Sequence, residues 1–121
     1  MKLERTIQDN TLVLSEGDNK VLSIREVQNE NTFEIYLDGS VRSDTVHELQ
    51  DELSALAVMG FYLRVDLEKV SYLAASGVKI FADIQMMADK SGKGSLTLCR
   101  VPEAIMKQLD SMSMTWLLDI E

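Results

Sequence analysis

The spacing of apolar residues changes from a strand period to a helix period within residues 70–81, and this change most restricts what the chain can fold into. Before it, apolar residues alternate with polar ones at Phe61, Leu63, Val65 and Leu67. After it, the apolar residues that fall along one predicted helical stripe are Ile80, Phe81, Ile84, Met87 and Ala88. The sequence therefore predicts a strand with one buried face that leads directly into a helix, which ends near residues 91–94.

The junction between this strand and this helix consists of small residues, Ala74, Ala75, Ser76 and Gly77. The first N–H groups of a helix have no acceptor within the helix, and small side chains leave them open to another backbone, an anion or a protein surface. The junction is therefore the first candidate for a functional site.

Length and composition favour a single domain over residues 1–121, since 45% hydrophobic residues can supply one core without disulfides. Residues 1–21 are predicted to form an N-terminal extension and a hairpin strand, and residues 22–121 the core of the domain. The chain shows neither an apolar run of about 20 residues nor a signal-peptide pattern, so we expect a cytoplasmic protein that does not insert into a membrane.

The net charge of −8 argues against nucleic acids and anionic membrane surfaces as partners, because both require clustered Lys and Arg. The residues that most often carry catalysis or bind metals do not form a known pattern either. His47 has no nucleophile at a catalytic spacing and is predicted to be solvated, while Cys99 reads as a small buried side chain. The sequence therefore predicts a non-enzymatic protein without metal or cofactor, whose partners are proteins.

The remaining segments alternate between strand and helix patterns. Residues 1–10 are polar and without a period, so we expect them to be loosely held. The other predicted elements are a hairpin of residues 11–14 and 20–25, a strand at 32–37, a helix with a capping box at residues 45–48 that ends at Gly60, a strand at 95–99, a helix after Pro102 and a closing strand at 115–120.

This order predicts an α/β fold with a mixed, largely parallel sheet and an N-terminal antiparallel hairpin. Residues 33–37 and 61–67 alternate between apolar and polar, whereas strands covered on both faces read as continuous apolar runs. The helices are therefore expected mainly on one face of the sheet.

Residues 70–78 and 37–41 resemble two motifs of the STAS domain family, which is shared by sulfate transporters and bacterial anti-sigma factor antagonists. The first family motif has two apolar positions, then Asp-Ser-Ser-Gly or Asp-Ser-Thr-Gly, then an apolar residue that opens a helix. The second is a strand that ends in Gly followed by a polar and an apolar residue. The resemblance covers residues 22–121 and implies the antagonist-like STAS fold.

The chain departs from the family motif at the position that carries regulation. In the antagonists, an anti-sigma factor kinase phosphorylates the first hydroxyl residue of the motif, and the added charge of about −1.5 to −2 expels the partner. That position is Ala75 here, which has no oxygen to accept a phosphoryl group, and the preceding Asp is replaced by Ala74. Arg42 also stands where the family often has an acidic residue. Ser76 is the remaining hydroxyl and a weak substitute, because its simpler role is to cap or begin the helix.

The resemblance implies a bacterial, non-catalytic interaction module that binds an anti-sigma factor or a related regulatory kinase and so controls transcription by partner switching, without the usual phosphoswitch. The predicted partner-binding residues are Ser40, Val41, Arg42, Ser43, Ala74, Ala75, Ser76, Gly77 and Lys79. One alternative is an anion- or nucleotide-binding module that uses Arg42, Lys79 and the helix N-terminus. Another is a scaffold subunit of a stressosome-like or transporter-associated complex, and a homo-oligomer is compatible with either.

Overall fold

A single six-stranded sheet, with its strands side by side in chain order, carries three helices in the computed structural model, which describes residues 3–121. The elements are β1 (Glu4–Gln8), β2 (Thr11–Glu16), β3 (Asn19–Asn29), β4 (Thr32–Val41), α1 (Val46–Val58), β5 (Tyr62–Leu73), α2 (Ala75–Ser91), β6 (Ser95–Cys99) and α3 (Glu103–Ser111). The sheet is mixed, as expected. The β1/β2, β2/β3 and β3/β4 pairs are antiparallel, and the β4/β5 and β5/β6 pairs are parallel.

The antiparallel part of the sheet is larger than predicted, because the segment expected to be loosely held contains β1. All five β1 side chains are exposed, so the strand leaves no alternating pattern of burial in the sequence. It is held instead by its pairing with β2 and by a two-residue turn at Asp9 and Asn10. Asn10 ties this turn to β3, since its side-chain amide donates to the Glu26 carbonyl (2.7 Å) and its own carbonyl accepts from the Glu26 N–H (3.0 Å). Residues 1–2 of the predicted segment lie outside the described residues.

The helices lie on one face of the sheet, which confirms the prediction from alternation. One face of the strands packs with the buried sides of all three helices into a single core. The largest fully buried side chains of that core include Leu14, Leu22, Ile24, Ile35, Leu37, Leu49, Leu53, Leu63, Leu67, Phe81, Ile84 and Leu96. The opposite face is polar and open, and we call it the open face.

The start of α1 differs from the predicted capping box. Thr45 is the residue before the helix, but its side chain makes no capping hydrogen bond, and Glu48 instead accepts a hydrogen bond from Arg5 (3.1 Å). Thr45 is fully buried, and its hydroxyl accepts from the Arg42 N–H (2.8 Å) within the loop that precedes α1. The capping-box prediction is wrong because the loop, and not the helix, takes this hydroxyl. The end at Gly60 is confirmed, with a left-handed φ of 85° just after the helix.

The buried side of α2 is shifted from the predicted stripe. Ile80, Phe81, Ile84 and Ala88 are buried as expected, but Met87 is 36% exposed. The additional buried residues of α2 are Gly77, Val78 and Ala82. The core therefore covers the side of α2 that these small and β-branched residues form, and Met87 lies at the margin.

The predicted closing strand at residues 115–120 is wrong. The segment consists of turns, and only Ile120 forms an isolated parallel bridge, with Leu98 of β6. The Gln85 side chain on α2 holds the segment, because its amide donates to the Leu117 carbonyl (2.6 Å) and its oxygen accepts from the Asp119 N–H (2.8 Å). These two tertiary hydrogen bonds hold the segment in turns, so it does not form a regular seventh strand beside β6, and residue types alone do not reveal such contacts.

Two carboxyl groups meet between β3 and α1. Glu26 follows the buried Leu22 and Ile24 on the core-facing side of β3, and Glu52 approaches it from α1. Burial, followed by the hydrogen bond and charge of Glu52, raises the pKa of Glu26 to about 8. Arg5 lies nearby, with its guanidinium 3.1 Å from Glu48 and 3.9 Å from Glu52. At neutral pH Glu26 is therefore protonated and can donate a hydrogen bond to Glu52.

The Glu26 proton predicts an unusual dependence of stability on pH. Because the pKa of Glu26 is raised from 4.5 to about 8 on folding, the folded state binds more protons than the unfolded state between these values. The free energy of unfolding should fall as the pH rises through this range, by about 1–2 kcal/mol once solvent screening of this half-exposed pair is included. Glu26→Gln, whose amide donates to Glu52 at every pH, should remove this fall in urea titrations at pH 5 to 9. The exposed Glu68→Gln is the control, and a wild-type profile in Glu26→Gln would contradict the prediction.

Candidate partner-binding site

The end of β4 and the beginning of α2 meet where β5 passes into the helix. The Ala74 N–H donates to the Val41 carbonyl (2.8 Å), and the Ala74 carbonyl then accepts from Gly77 (2.9 Å) and Val78 (3.3 Å). Ala74 has extended backbone angles (φ −67°, ψ 152°), and α2 begins at Ala75. Two of the predicted surface segments, residues 40–43 and 74–79, are therefore neighbours in the structure.

Glycine is required at two positions of this junction. A Cβ at Gly77 would lie 2.8 Å from Leu73 Cδ1 and 2.9 Å from Val41 Cγ1. A Cβ at Gly39, which has a φ of 121°, would overlap the carbonyl oxygen of Val21. These two residues are the glycines of the two motifs that the sequence singled out, so both motifs serve the close approach of β4 to its neighbours.

The first turn of α2 is open to solvent. Ala75 and Ser76 are exposed, and Lys79 is exposed one turn further along the helix. Ala74 is the residue before the helix and supplies no side-chain cap, so the N–H groups of Ala75 and Ser76 have no acceptor within the described part of the chain. Ser76 was expected to cap or begin the helix. It occupies the second helical position and caps nothing.

Arg42, in the loop after β4, is already paired with two carboxylates. Its guanidinium donates to both oxygens of Asp44 (2.9 and 2.7 Å) and to Glu16 at the end of β2 (3.0 Å). The hydrogen bonds from Arg42 hold the pKa of Asp44 below its usual value, and the same contacts raise the pKa of Arg42. Arg42 thus links β2 to the β4–α1 loop, and its charge is largely neutralised locally.

The remaining predicted residues divide into buried and exposed members. Val41 is fully buried and Ser40 is partly buried, with its hydroxyl 3.3 Å from that of Ser71. Ser43 is exposed. The accessible part of the predicted surface therefore consists of Ser43, Ala75, Ser76 and Lys79, and Val41 with Gly77 forms its support.

Sequence reasoning missed Thr45 and Glu16, which fix the loop beside the junction. Thr45 was considered only as a helix cap, although a buried hydroxyl that satisfies the Arg42 N–H sets the shape of residues 42–45. Glu16 lies 26 positions from Arg42 in the chain, so only the β2/β3 hairpin brings them together. No local pattern signals such a contact.

The open face carries a second concave region, a cavity of about 240 Å³. Asp66, only 6% exposed, accepts a hydrogen bond from Arg100 Nε (2.7 Å), and Arg25 stacks on the Tyr36 ring (4.3 Å to its centre). Asp66 is thus neutralised by Arg100, and this contact raises the pKa of Arg100. Within residues 3–121, no group of three His, Cys, Asp or Glu side chains is placed to hold a metal ion.

His47 and Cys99 lie where the sequence predicts. His47 is exposed on α1, and Cys99 is buried at the end of β6. Burial raises the pKa of the Cys99 thiol, which therefore stays protonated and unreactive at neutral pH.

Gly77→Ala tests the close packing of the junction. The new methyl group would press on Val41, whose branched side chain has little rotational freedom, and on Leu73. We expect a loss of about 1–2 kcal/mol in the free energy of unfolding, because overpacking exceeds the gain in helix propensity. Ser76→Ala, at the neighbouring exposed position, is the control and should stay within about 0.5 kcal/mol of wild type in urea unfolding. A Gly77→Ala protein as stable as this control would show that the junction can relax.

No helix in the described part of the chain is long and apolar enough to cross a membrane.

Comparison with known proteins identifies relatives of this chain. A family model described as "Mlab, STAS domain" matches residues 24–119. The anti-sigma-B factor antagonist of Bacillus subtilis (strain 168) is 31% identical over 93 residues, which are 77% of this chain and 84% of that protein.

Solved structures share the fold at lower identity. An anti-sigma factor antagonist from Mycobacterium paratuberculosis superposes with a TM-score of 0.73 at 15% identity, over 82% of this chain and 84% of that one. The anti-sigma factor antagonist SpoIIAA of Bacillus, at 14% identity, gives TM-scores of 0.68 unphosphorylated and 0.64 phosphorylated, over 81% of this chain and 87% and 90% of those chains. The family model matches most of the sequence, and the Bacillus subtilis antagonist is similar to this chain over most of its length. This chain therefore belongs to the STAS domain family.

Proposed function

We propose that this chain is a non-catalytic regulator of transcription that binds an anti-sigma factor or a related regulatory kinase in the bacterial cytoplasm. The observation that carries the proposal is the exposed first turn of α2, held against the end of β4 by the Ala74 to Val41 hydrogen bond. The relationship to the anti-sigma-B factor antagonist of Bacillus subtilis supports the same class of partner.

The junction has the features that a docking backbone needs. Ala75 and Ser76 project little, so a partner segment can approach the helix axis closely, and their N–H groups are free donors for its carbonyl or carboxylate oxygens. Lys79 and Ser43 add a cation and a hydroxyl at the margin. The net charge of −8 favours a partner with a basic surface around this contact.

The proposed module works without the usual phosphoswitch. Ala75 stands at the position of the family's phosphoacceptor and offers only a methyl group. Ser76 is exposed, but it lies one position further along the helix, so a phosphate there would occupy a different place at the partner contact. The chain would therefore stay competent to bind under conditions in which a kinase inactivates a phosphorylatable relative.

The anion- or nucleotide-binding alternative has less support. It relied on Arg42, whose guanidinium is already shared between Asp44 and Glu16. An anion would have to compete with both carboxylates, and Lys79 with two free N–H groups would remain to hold it. The scaffold alternative uses the same exposed turn and differs only in the partner.

Ala75→Glu tests the junction as the partner surface. A carboxylate at Ala75 would be buried unpaired against the partner, at a cost of several kcal/mol, of which the helix N-terminus offsets up to about 1 kcal/mol. Affinity for the cognate anti-sigma factor, measured by isothermal titration calorimetry, should fall by at least about a hundredfold while circular dichroism stays unchanged.

The control for this experiment is Ala55→Glu, the same change at an exposed position near the C-terminal end of α1. It should bind as wild type does. Equal affinity of Ala75→Glu and Ala55→Glu would place the interface elsewhere.

Ala75→Ser tests the missing phosphoswitch. Incubated with the cognate anti-sigma factor kinase and ATP, wild type should gain no phosphate at the junction, because Ala75 has no acceptor oxygen. The Ala75→Ser protein should be phosphorylated at residue 75 and should then lose affinity, since a phosphate adds about −1.5 to −2 charges at the contact. Intact-mass and peptide mass spectrometry read out the site. Stoichiometric phosphate on Ser76 of wild type would contradict the prediction.

A further inference from the structure

One edge of the sheet is covered by another segment of the chain, and the other edge is not. At the β6 edge, the C-terminal residues cover the strand, since the Leu98 N–H donates to Asp119 (2.9 Å) and the Leu98 carbonyl accepts from Glu121 (2.9 Å). At the opposite edge, β1 pairs only with β2, and no segment within residues 3–121 lies along its outer side. A bare edge presents a row of unpaired backbone groups to solvent.

The outward backbone groups of β1 can be assigned from its hairpin. The turn between β1 and β2 has two residues, and Gln8 is directly opposite Thr11. The residues that flank such a turn bond to each other, so Gln8, Thr6 and Glu4 bond to β2. Arg5 and Ile7 therefore direct their N–H and C=O groups outward.

The outer edge of β1 carries few of the usual protections against pairing. Its sequence has neither Pro nor Lys, its two charged residues, Glu4 and Arg5, are of opposite sign, and its register with β2 runs without a bulge. Ile7 is 63% exposed, on the same side of the sheet as the buried Leu12 that pairs with it. The Ile7 side chain at this open edge is therefore available for contact with another molecule.

We propose that two copies of this chain join through the outer edges of their β1 strands, antiparallel and with a two-fold axis at Thr6. In this register Arg5 of each copy is opposite Ile7 of the other, and their outward N–H and C=O groups form four hydrogen bonds between the copies. Thr6 is opposite Thr6, and Glu4 is opposite Gln8. The two sheets thereby become one sheet of twelve strands, twice the six of one copy.

The β1 sequence is complementary to itself in this register. No like charges are opposite each other, a Thr pair lies on the axis, and the aliphatic stem of Arg5 from one copy covers Ile7 of the other. A register centred on Arg5 would place two guanidinium groups opposite each other, and one centred on Ile7 would extend the pairing into the turn at Asp9. Only the register centred on Thr6 pairs all five strand residues, which favours a second copy over an unrelated strand as the occupant.

Disulfide crosslinking tests both the pairing and its register. Thr6→Cys places two thiols in a directly opposed pair without hydrogen bonds, where the Cα atoms are about 4.5 Å apart and a disulfide can form. Glu4→Cys is the matched control on the same strand and face, but its two copies would lie four residues apart along the pair. The native Cys99 is buried and takes no part. Under mild oxidation Thr6→Cys should form a linked dimer at least about tenfold faster than Glu4→Cys. Equal rates for the two variants would overturn the register.

The mass in solution tests the pairing without added thiols. Wild type should show a mass in light scattering that rises with concentration from 13.6 kDa towards twice that value. Ile7→Pro removes one outward N–H per copy without loss of a β2 bond, so the dimer should weaken about ten- to a hundredfold. Ile7→Val keeps the N–H and the β-branched side chain and should dimerise as wild type does, as should Ala75→Glu, whose change is outside β1. A wild type that stays at 13.6 kDa up to millimolar concentration, or a dimer unaffected by Ile7→Pro, would overturn the proposal, whether or not the junction binds an anti-sigma factor.

Discussion

The contact of Gly77 with Val41 and Leu73 is the constraint on which the rest of the structure depends. Because residue 77 has no Cβ, the first turn of α2 can lie directly against the ends of β4 and β5. That closeness lets the Ala74 N–H reach the Val41 carbonyl, which joins the two parallel strands at the point where the helix begins. The first turn of α2 is thereby fixed beside β4, with Gly77 and Val78 buried and Ala75 and Ser76 exposed.

Much of this structure can be predicted from the sequence, because a strand or helix with one buried face has apolar residues at regular intervals. The strands β2 to β6 and all three helices carry such a pattern. β1 does not, since its five side chains are exposed and its place is set by a turn that Asn10 fastens to β3. For residues 115–120 the opposite holds, because their sequence predicts a strand that the structure does not contain. This segment is rich in residues typical of strands, but two hydrogen bonds with the Gln85 side chain, one donated and one accepted by it, hold the segment in turns.

The position of the candidate site could be predicted from the sequence, but not which of its side chains are accessible to a partner. The motif glycines mark where two backbones approach each other, and the sequence therefore predicts correctly that residues 40–43 and 74–79 are neighbours. Their side-chain roles depend on partners remote in sequence. Arg42 looked like a free cation until the β2/β3 hairpin brought Glu16 to it, and Val41 looked like a contact residue although it is fully buried. Local sequence therefore indicates where β4 meets α2, while charge pairing and burial decide which groups a partner can reach.

The small residues at the junction have a physical consequence for the start of α2. Because Ala74 precedes α2 and supplies no side-chain cap, the helix forgoes the stabilisation of about 1 kcal/mol that a capping Asp, Asn or Ser would provide. α2 tolerates this because seven of its residues are buried and Gly92 closes its other end in the left-handed conformation. The N–H groups of Ala75 and Ser76 have no acceptor within the described residues, so a partner oxygen that reaches them displaces no capping side chain. The small residues at the junction thus leave this end of the helix accessible to a partner.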